Sequence, residues 1–380
     1  MMKKYRIIYL LVLCGIMLCS CGKKDLPDED FIDFARDIEK QMRNGDDISI
    51  VNAFDYDEFE KRVLANVDIP KKEKNRASDF IKENINPAMS ILEMVMNSAD
   101  FRFIKFYRKG NEPHVIFRIY FNGGVSLEDW VLGVKDGQIL IYDAFAIVSG
   151  ISWSEDCRQK LCNHLGIFTE EILTINKLID ANYLIANGEY SAADSMLYWI
   201  MPQMQENLYA RTMELNLSSM SKSYEDMIKL TDDFEKTFPQ EKRICVFYLM
   251  QSSIQHGLAD ETSEQIYTLI KLIGDDPIYY VYQAWAFQQA NANNYALQML
   301  DSAIHYIPHV FDLYLNKLDV YYFADNYRAF VDMLYQIDTL FSPEDEDVTF
   351  FRENYELLNR YEPFNKWVQS KEDTNKLVNK

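Results

Sequence analysis

The sequence predicts an amino-terminal α+β module, with helices followed by a four-stranded antiparallel sheet, and then an all-α region of repeated helical pairs. Two observations support this order. Apolar residues recur with a period of two between residues 101 and 148, as they do in half-buried strands. After residue 172 the apolar residues keep a helical spacing instead. Only 13 glycines and 10 prolines among 380 residues also favour long regular elements.

The first 22 residues have the layout of a processing signal. A basic head at residues 1–6 precedes an apolar run from Ile7 to Leu18, and small residues follow this run. The apolar run is shorter than the roughly 20 residues that span a bilayer, and this layout is typical of a cleaved segment. The sequence therefore predicts a signal peptide over residues 1–20.

The exit from this segment reads Leu18-Cys19-Ser20-Cys21. It resembles the lipobox of bacterial lipoproteins, in which Leu and two small residues precede the lipid-bearing cysteine; Cys19 departs from the usual pattern. The resemblance implies that acyl chains such as palmitate are attached at Cys21 and anchor the mature protein in the cell envelope, at the outer membrane. Whether the protein faces the periplasm or the cell surface stays open.

An acidic tether is predicted over residues 21–30. It resembles the acidic export signal of surface-exposed lipoproteins in some Gram-negative phyla, and a solvated linker is the alternative interpretation. The whole chain is acidic as well, with 59 acidic and 39 basic residues and a net charge of −20, which becomes −23 when Lys3, Lys4 and Arg6 are removed. This charge opposes binding to nucleic acid or to anionic headgroups, so membrane attachment is expected through the lipid.

Residues 31–165 are predicted to form the α+β module. Apolar residues at helical spacing predict helices from Phe31 to Met42, around Phe59, and from Ala77 to about Met96. The four predicted strands, joined by turns that contain glycine, cover about residues 101–108, 114–121, 125–134 and 138–148.

Helices followed by a curved antiparallel sheet, with last strands around Trp130 and Asp143, resemble the cone-shaped NTF2-like fold. In that family the cone is either an enzyme pocket or a packed dimerisation module. Asp129 and Asp143 are the candidates for an acid or base in such a pocket. The alternative, that both carboxylates are satisfied groups of a strand edge or turn, is the interpretation we favour, and we assign no catalytic residue.

Residues 166–380 are predicted to form an all-α solenoid. Small, aromatic, small, large, small and proline positions are filled in turn by Ala284, Phe287, Ala296, Leu300, Ala303 and Pro308. This pattern resembles the 34-residue tetratricopeptide (TPR) consensus. Its small residues let helices approach closely, and its proline ends the second helix.

The same register extends in both directions along the chain. Equivalent turn positions recur at intervals of 34 or 35 residues, at Tyr190, Tyr224, Ala259, Asn293 and Tyr327. They predict about five repeats over residues 174–344, followed by a capping helix over residues 345–370.

Fixed positions of each first helix face a groove in TPR-like repeats. In this register one such position is filled successively by Asn182, Asn216, Gln251, Trp285 and Asp319. Because a carboxamide both donates and accepts hydrogen bonds, this row is predicted to hold the backbone of an extended peptide. The alternative is that these side chains are simply solvated. Apolar contacts to the peptide are predicted from Phe247, Trp285, Leu315 and Tyr322.

The rest of the sequence offers no catalytic or metal-binding motif. Phosphate-binding loops, GxSxG, HExxH and EF-hand patterns are absent, and Pro308 separates His305 from His309. Cys157, Cys162 and Cys245 are predicted to be buried thiols, with one disulfide as the alternative. We therefore expect neither enzymatic activity nor a cofactor nor a metal.

These observations predict a lipid-anchored adaptor of the cell envelope that binds a protein or peptide partner through a TPR-like groove, as an accessory subunit of an envelope complex. The alternative prediction is an NTF2-like module that binds or transforms a small molecule, with the helical repeats as its support. The acidic charge argues against a nucleic-acid partner in either case.

Overall fold

The computed structural model describes residues 26–44, 48–65, 67–84, 100–121, 124–343 and 345–378. Several predictions made from the sequence therefore lie outside the described residues. They concern the signal peptide, Cys21, the first part of the tether, residues 85–96 of the predicted third helix, and the turn at residues 122–123.

Short helices form the first layer of the amino-terminal module. These are α1 (Asp28–Arg43), α2 (Ile48–Ala53), α3 (Tyr56–Leu64), α4 (Lys74–Asn84) and, after the sheet, α5 (Trp153–Leu165). Helix α1 begins at Asp28, so the last three residues of the predicted tether are helical. Their carboxylates lie in the first turn, where the helix dipole favours negative charge. Every third or fourth residue of α1 is buried: Phe31, Ala35, Ile38 and Met42.

The sheet has five strands in the described chain, one more than predicted. They are antiparallel neighbours in sequence order: β1 (Asp100–Lys109), β2 (Glu112–Phe121), β3 (Gly124–Lys135), β4 (Gln138–Ala146) and β5 (Ile151–Ser152). Strand β5 has two residues, which pair with Phe145 and Ala146, so it is too short to show an alternating pattern in the sequence. Asp136 and Gly137 both have positive φ in the tight turn between β3 and β4.

The first face of the sheet packs against α1–α5. Its core is aromatic, because the ring centroid of Phe117 lies 4.8 Å from that of Phe101 and 4.5 Å from that of Trp130. The strand residues between these, such as Ile116 and Tyr120, point to the second face and are also fully buried. Both faces of the sheet are therefore covered.

Helices after residue 166 form the helical array. Its paired helices are α6 (Glu170–Ala186) and α7 (Tyr190–Ile200), α8 (Leu208–Ser221) and α9 (Tyr224–Thr237), α10 (Lys242–Gln255) and α11 (Ala259–Leu272), α12 (Ile278–Gln289) and α13 (Asn293–Tyr306), and α14 (Phe311–Phe323) and α15 (Tyr327–Phe341). The second helix of every pair begins at the residue that the repeat register marks as the turn position. The small residues of that register, Ala284, Ala296 and Ala303, are buried between helices.

The predicted capping helix over residues 345–370 is two helices, α16 (Asp345–Asn354) and α17 (Glu362–Val378), which are joined by a 3₁₀ turn at Glu356–Arg360. The backbone leaves the helical conformation at Tyr355, where φ is −120° and ψ is 56°. Pro363 explains why a single helix cannot continue, since proline lacks an N–H and clashes with the preceding turn. It is tolerated at the start of α17.

The second face of the sheet packs on the amino-terminal halves of the first helices of the array. The Tyr248 hydroxyl in α10 donates to the Val148 carbonyl after β4 over 2.5 Å. The Arg118 guanidinium of β2 donates to Asp276, just before α12, over 3.1 Å. A side chain at Gly274 would collide with Ile104 of β1, because its Cβ would lie 2.6 Å from Ile104 Cγ2. Sheet and array are thus in direct contact.

Candidate functional site

In three of the first helices, the predicted groove position lies one helical turn after a residue that packs against the sheet module. Residues three or four apart share a helix face, so the groove positions of α8, α10 and α12 are on the face that the module covers, nearer to the carboxyl end of each helix. The pairs are Thr212 and Asn216 in α8, Tyr248 and Gln251 in α10, and Tyr282 and Trp285 in α12. The module therefore contacts the amino-terminal part of this face in these three helices.

Three carboxamides at the predicted groove positions, which we call the amide row, have no hydrogen-bond partner among the described residues. Asn182, Asn216 and Gln251 are half-buried, and within the described chain their side chains form no hydrogen bond. The amide row therefore has unused donors and acceptors at equivalent positions of three successive first helices.

The side chains at the last two predicted groove positions form hydrogen bonds with other residues of the chain. The Trp285 indole N–H donates to Asn316 Oδ1 over 3.0 Å. Asp319 accepts from the Tyr355 hydroxyl over 2.7 Å, and burial raises the pKa of this carboxyl. These two side chains stabilise packing between helices, so the hydrogen-bonding part of the site is the amide row.

The predicted apolar groove residues divide into two groups. Phe247 is only 5% exposed and packs edge to face on Tyr248 and Tyr282, which makes it a core residue and not a residue of an open groove. Leu315 and Tyr322 are half-buried. The Tyr322 ring contacts other rings of the array, including that of Tyr355 at 5.1 Å between centroids.

Exposed apolar side chains beside the amide row were not predicted. Ile179 lies three residues before Asn182 and is 44% exposed; Met220 lies four residues after Asn216 and is 40% exposed. Both share the helix face of the neighbouring amide. The signal available in the sequence was the repeat register, which places an apolar side chain at i−3 or i+4 from each of these amides.

The first helical pair, α6 and α7, carries an unusual number of exposed large side chains. They are Phe168, which immediately precedes α6, and Leu173, Ile179, Tyr183, Tyr198 and Trp199. Tyr198 and Trp199 are more than 70% exposed and contact each other edge to face. An exposed pair of aromatic side chains such as Tyr198 and Trp199 is typical of protein-binding sites.

Asp129 belongs to a buried ion-pair cluster between β3 and α10. Its carboxylate accepts from the Tyr107 hydroxyl over 2.5 Å, lies 3.0 Å from His114 Nδ1, and lies 2.6 Å from Arg243 Nη1. Burial alone would raise the pKa of this carboxyl, but the bond from His114 and the charge of Arg243 hold it below its usual value. The geometry makes Asp129 a satisfied group that joins the sheet to the array.

Asp143 has a separate structural role. Its carboxylate accepts hydrogen bonds from the backbone N–H and the hydroxyl of Ser154, over 3.1 and 2.5 Å. This fixes the first turn of α5 against β4. Asp129 and Asp143 are thus not brought together around one pocket.

The cysteines and histidines stay apart from each other. Cys157, Cys162 and Cys245 are free and buried, and burial raises the pKa of Cys157 to about 12 and that of Cys245 to about 11. His309 Nε2 contacts Asp100 of β1 over 3.0 Å. The described residues contain no group of His, Cys, Asp and Glu that could hold a metal. No described helix has the length and hydropathy that a membrane span requires.

Comparison with known proteins gave no relative: no family model, no curated protein and no solved structure matches this chain significantly.

Proposed function

We propose that this protein is a lipid-anchored adaptor of the cell envelope, and that it holds an extended segment of a partner protein along the amide row. The observation that supports this function is the set of three half-buried carboxamides, Asn182, Asn216 and Gln251, that have no partner in the described chain. An extended peptide offers a backbone N–H or C=O at regular intervals, and an amide side chain can bind either group.

The surroundings of the amide row suit a peptide. Ile179 and Met220 lie beside it and supply apolar contact for the partner's side chains. We propose TPR-like architecture for the array, since repeats of this kind present the first helices as an extended binding surface. We propose an NTF2-like fold for the amino-terminal module, whose role here is to brace these helices.

Attachment to the membrane is part of the same proposal. Cys21 carries the lipid, which keeps the adaptor at the outer membrane beside the envelope complex that it serves. The acidic chain, with a net charge of −20, is repelled by anionic headgroups and by nucleic acid. The lipid and the partner protein therefore localise the molecule together.

Substitution of the amide row tests the binding function. In the double variant Asn216→Ala/Gln251→Ala, we expect loss of the partner that copurifies with the wild-type protein after crosslinking. Its melting temperature should stay within a few degrees of wild type, because neither amide has an internal bond. The matched control is Gln298→Ala, which removes an exposed carboxamide from the second helix α13. Equal partner recovery from both variants would contradict the proposal.

The anchor is tested separately. A Cys21→Ser variant should lose fatty-acid labelling and move to the soluble fraction, because the acyl chains at this residue are the proposed attachment. A Cys245→Ser variant is the control, since Cys245 is buried in α10. Continued labelling of the Cys21→Ser variant would show that the lipoprotein assignment is wrong.

A further inference from the structure

A cavity of about 350 Å³ lies where α5, the start of α6 and the start of α8 meet. Its volume is within the range of small-molecule sites. It is formed by the first turns of α6 and α8, whereas Asn182 and Asn216 of the amide row lie about two turns further along the same helices. Its lining is largely apolar, from Val67, Ile151, Cys162, Ile167, Ile172, Ile175 and Leu208.

An arginine without an acidic partner lines this cavity. Arg158 Nε donates to the Val63 carbonyl over 2.9 Å, and its Nη2 donates to the Arg62 carbonyl over 2.8 Å. Among the described residues no carboxylate forms an ion pair with Arg158, and its Nη1 has no partner. A half-buried guanidinium beside apolar walls is stabilised by an anion.

Two further polar groups of the cavity have unused hydrogen-bonding capacity. Gln159 is 4% exposed, and its Nε2 donates to the Ile172 carbonyl over 2.8 Å, while its Oε1 has no partner in the described chain. The Tyr209 hydroxyl likewise has none there. Burial raises the pKa of Tyr209 to about 12, so this hydroxyl keeps its proton at neutral pH and can donate a hydrogen bond.

Two carboxylates also belong to the lining. Asp68 and Glu155 are both exposed. Glu155 Oε2 already accepts from the Ser152 backbone N–H over 3.0 Å and from its hydroxyl over 2.9 Å, at the start of α5. The lining therefore contains one guanidinium, which is half-buried, and two carboxylates of exposed residues.

We propose that this cavity binds a small amphipathic carboxylate. The carboxylate group pairs with Arg158 Nη1 and accepts from the Tyr209 hydroxyl, and the apolar body packs against Ile151, Ile172 and Ile175. A neutral apolar molecule, or one with an ammonium group, would leave the half-buried guanidinium without an anionic partner. This site is independent of the partner-binding site, because it uses neither the amide row nor Met220.

Calorimetry on the lipid-free Cys21→Ser protein tests the site, with octanoate as the probe. Octan-1-ol and octylamine have the same tail without the negative charge and serve as matched ligands. We expect octanoate to bind once per chain, octan-1-ol to bind at least tenfold more weakly, and octylamine not to bind. Absence of octanoate binding, or equal affinity for octan-1-ol, would overturn the proposal.

Three substitutions locate the binding in this cavity. Arg158→Gln should weaken octanoate binding at least tenfold, Tyr209→Phe about threefold, and Ile175→Trp should abolish it by filling the space. If Arg158→Gln does not fold, since its bonds to α3 are structural, the other two variants decide. Octanoate binding at wild-type affinity to folded Tyr209→Phe and Ile175→Trp proteins would show that the ligand binds elsewhere.

Discussion

The two faces of the sheet are stabilised in different ways. The face toward α1–α5 is a continuous aromatic core around Phe117 and Trp130. The face toward the array carries buried ion pairs within its apolar surface: Arg118 of β2 lies 2.6 Å from Asp100 and 3.1 Å from Asp276, with all three side chains shielded from solvent. Asp129 and Arg243 form a second pair on this face.

This difference indicates what each face does. Apolar packing contributes free energy without imposing a direction, so the first face is an ordinary module core. Buried ion pairs add less net stability but fix geometry, because each charge needs its partner in place. The second face therefore sets how the sheet is oriented on the first helices, and so how much of the amide row stays open.

The largest effect is expected from breaking the ion pairs of the second face. Arg118→Met leaves Asp100 and Asp276 buried without their main partner, and we expect a loss of about 3–5 kcal/mol in the free energy of unfolding. The control Arg102→Met removes a partly exposed arginine 3.8 Å from Asp276 and should cost about 1 kcal/mol or less. Urea denaturation measures both. Equal losses would contradict the special role of the buried ion pairs on the second face.

A smaller effect, a gain in stability, is expected from a substitution on the first face. Glu128 is buried there with Oε2 unpartnered, and burial raises its pKa from 4.5 to about 7. Its contribution to stability is therefore complete below pH 4.5 and is lost as the pH rises through 7. Glu128→Gln should be more stable than wild type at pH 8, by about 3 kcal/mol, and show little gain at pH 4.5.

Glu112 is the control for this pH dependence. Hydrogen bonds from His114 and Arg62 lower its pKa to about 2, so its stabilisation is present above pH 4.5 and is lost as the pH falls toward 2. Glu112→Gln should therefore be less stable than wild type at pH 8. The account of the first face would be contradicted if the stabilities of the two variants, each relative to wild type, changed in the same direction as the pH rises.

The smallest effect concerns one hydrogen bond between the sheet module and α10. Tyr248→Phe removes the bond to the Val148 carbonyl and should cost about 1 kcal/mol. Tyr279→Phe is the matched control, because the buried Tyr279 hydroxyl has no partner in the described chain, and its loss should be neutral or stabilising. Thermal unfolding measures the stability of both variants. A larger loss of stability in Tyr279→Phe than in Tyr248→Phe would argue against a stabilising bond from Tyr248 to the Val148 carbonyl.

Local patterns predicted much of this fold. The starts of the second helices at Tyr190, Tyr224, Ala259, Asn293 and Tyr327 follow from the register that the tetratricopeptide resemblance implies. The four longer strands were predicted within two residues at every end from their period of two and from turn chemistry. Strand β5 was not predictable in this way, because two residues show no period. The division of the last helix at Tyr355 could have been anticipated from Pro363.

Contacts between segments that are distant along the chain could not be predicted from the sequence. An apolar residue such as Phe247 has the same pattern whether it faces an open groove or a covering sheet, so its burial depends on how the module docks. The partners of Arg118 lie 18 and 158 residues away, and the acceptor of Trp285 is in the next first helix. Among the predicted groove residues Phe247 is the buried one, and the three amides are half-buried, as are Leu315 and Tyr322.

A photo-crosslinking amino acid placed at Met220, beside Asn216, tests the central claim most directly. Met220 lies on the face of α8 that carries the amide row and is 40% exposed. We predict that illumination of cells with this variant gives one discrete adduct with an envelope protein, and that the same amino acid at Gln298 on α13 gives none. Absence of an adduct at Met220, or the same adduct from both positions, would contradict the assignment of this face as the partner-binding surface.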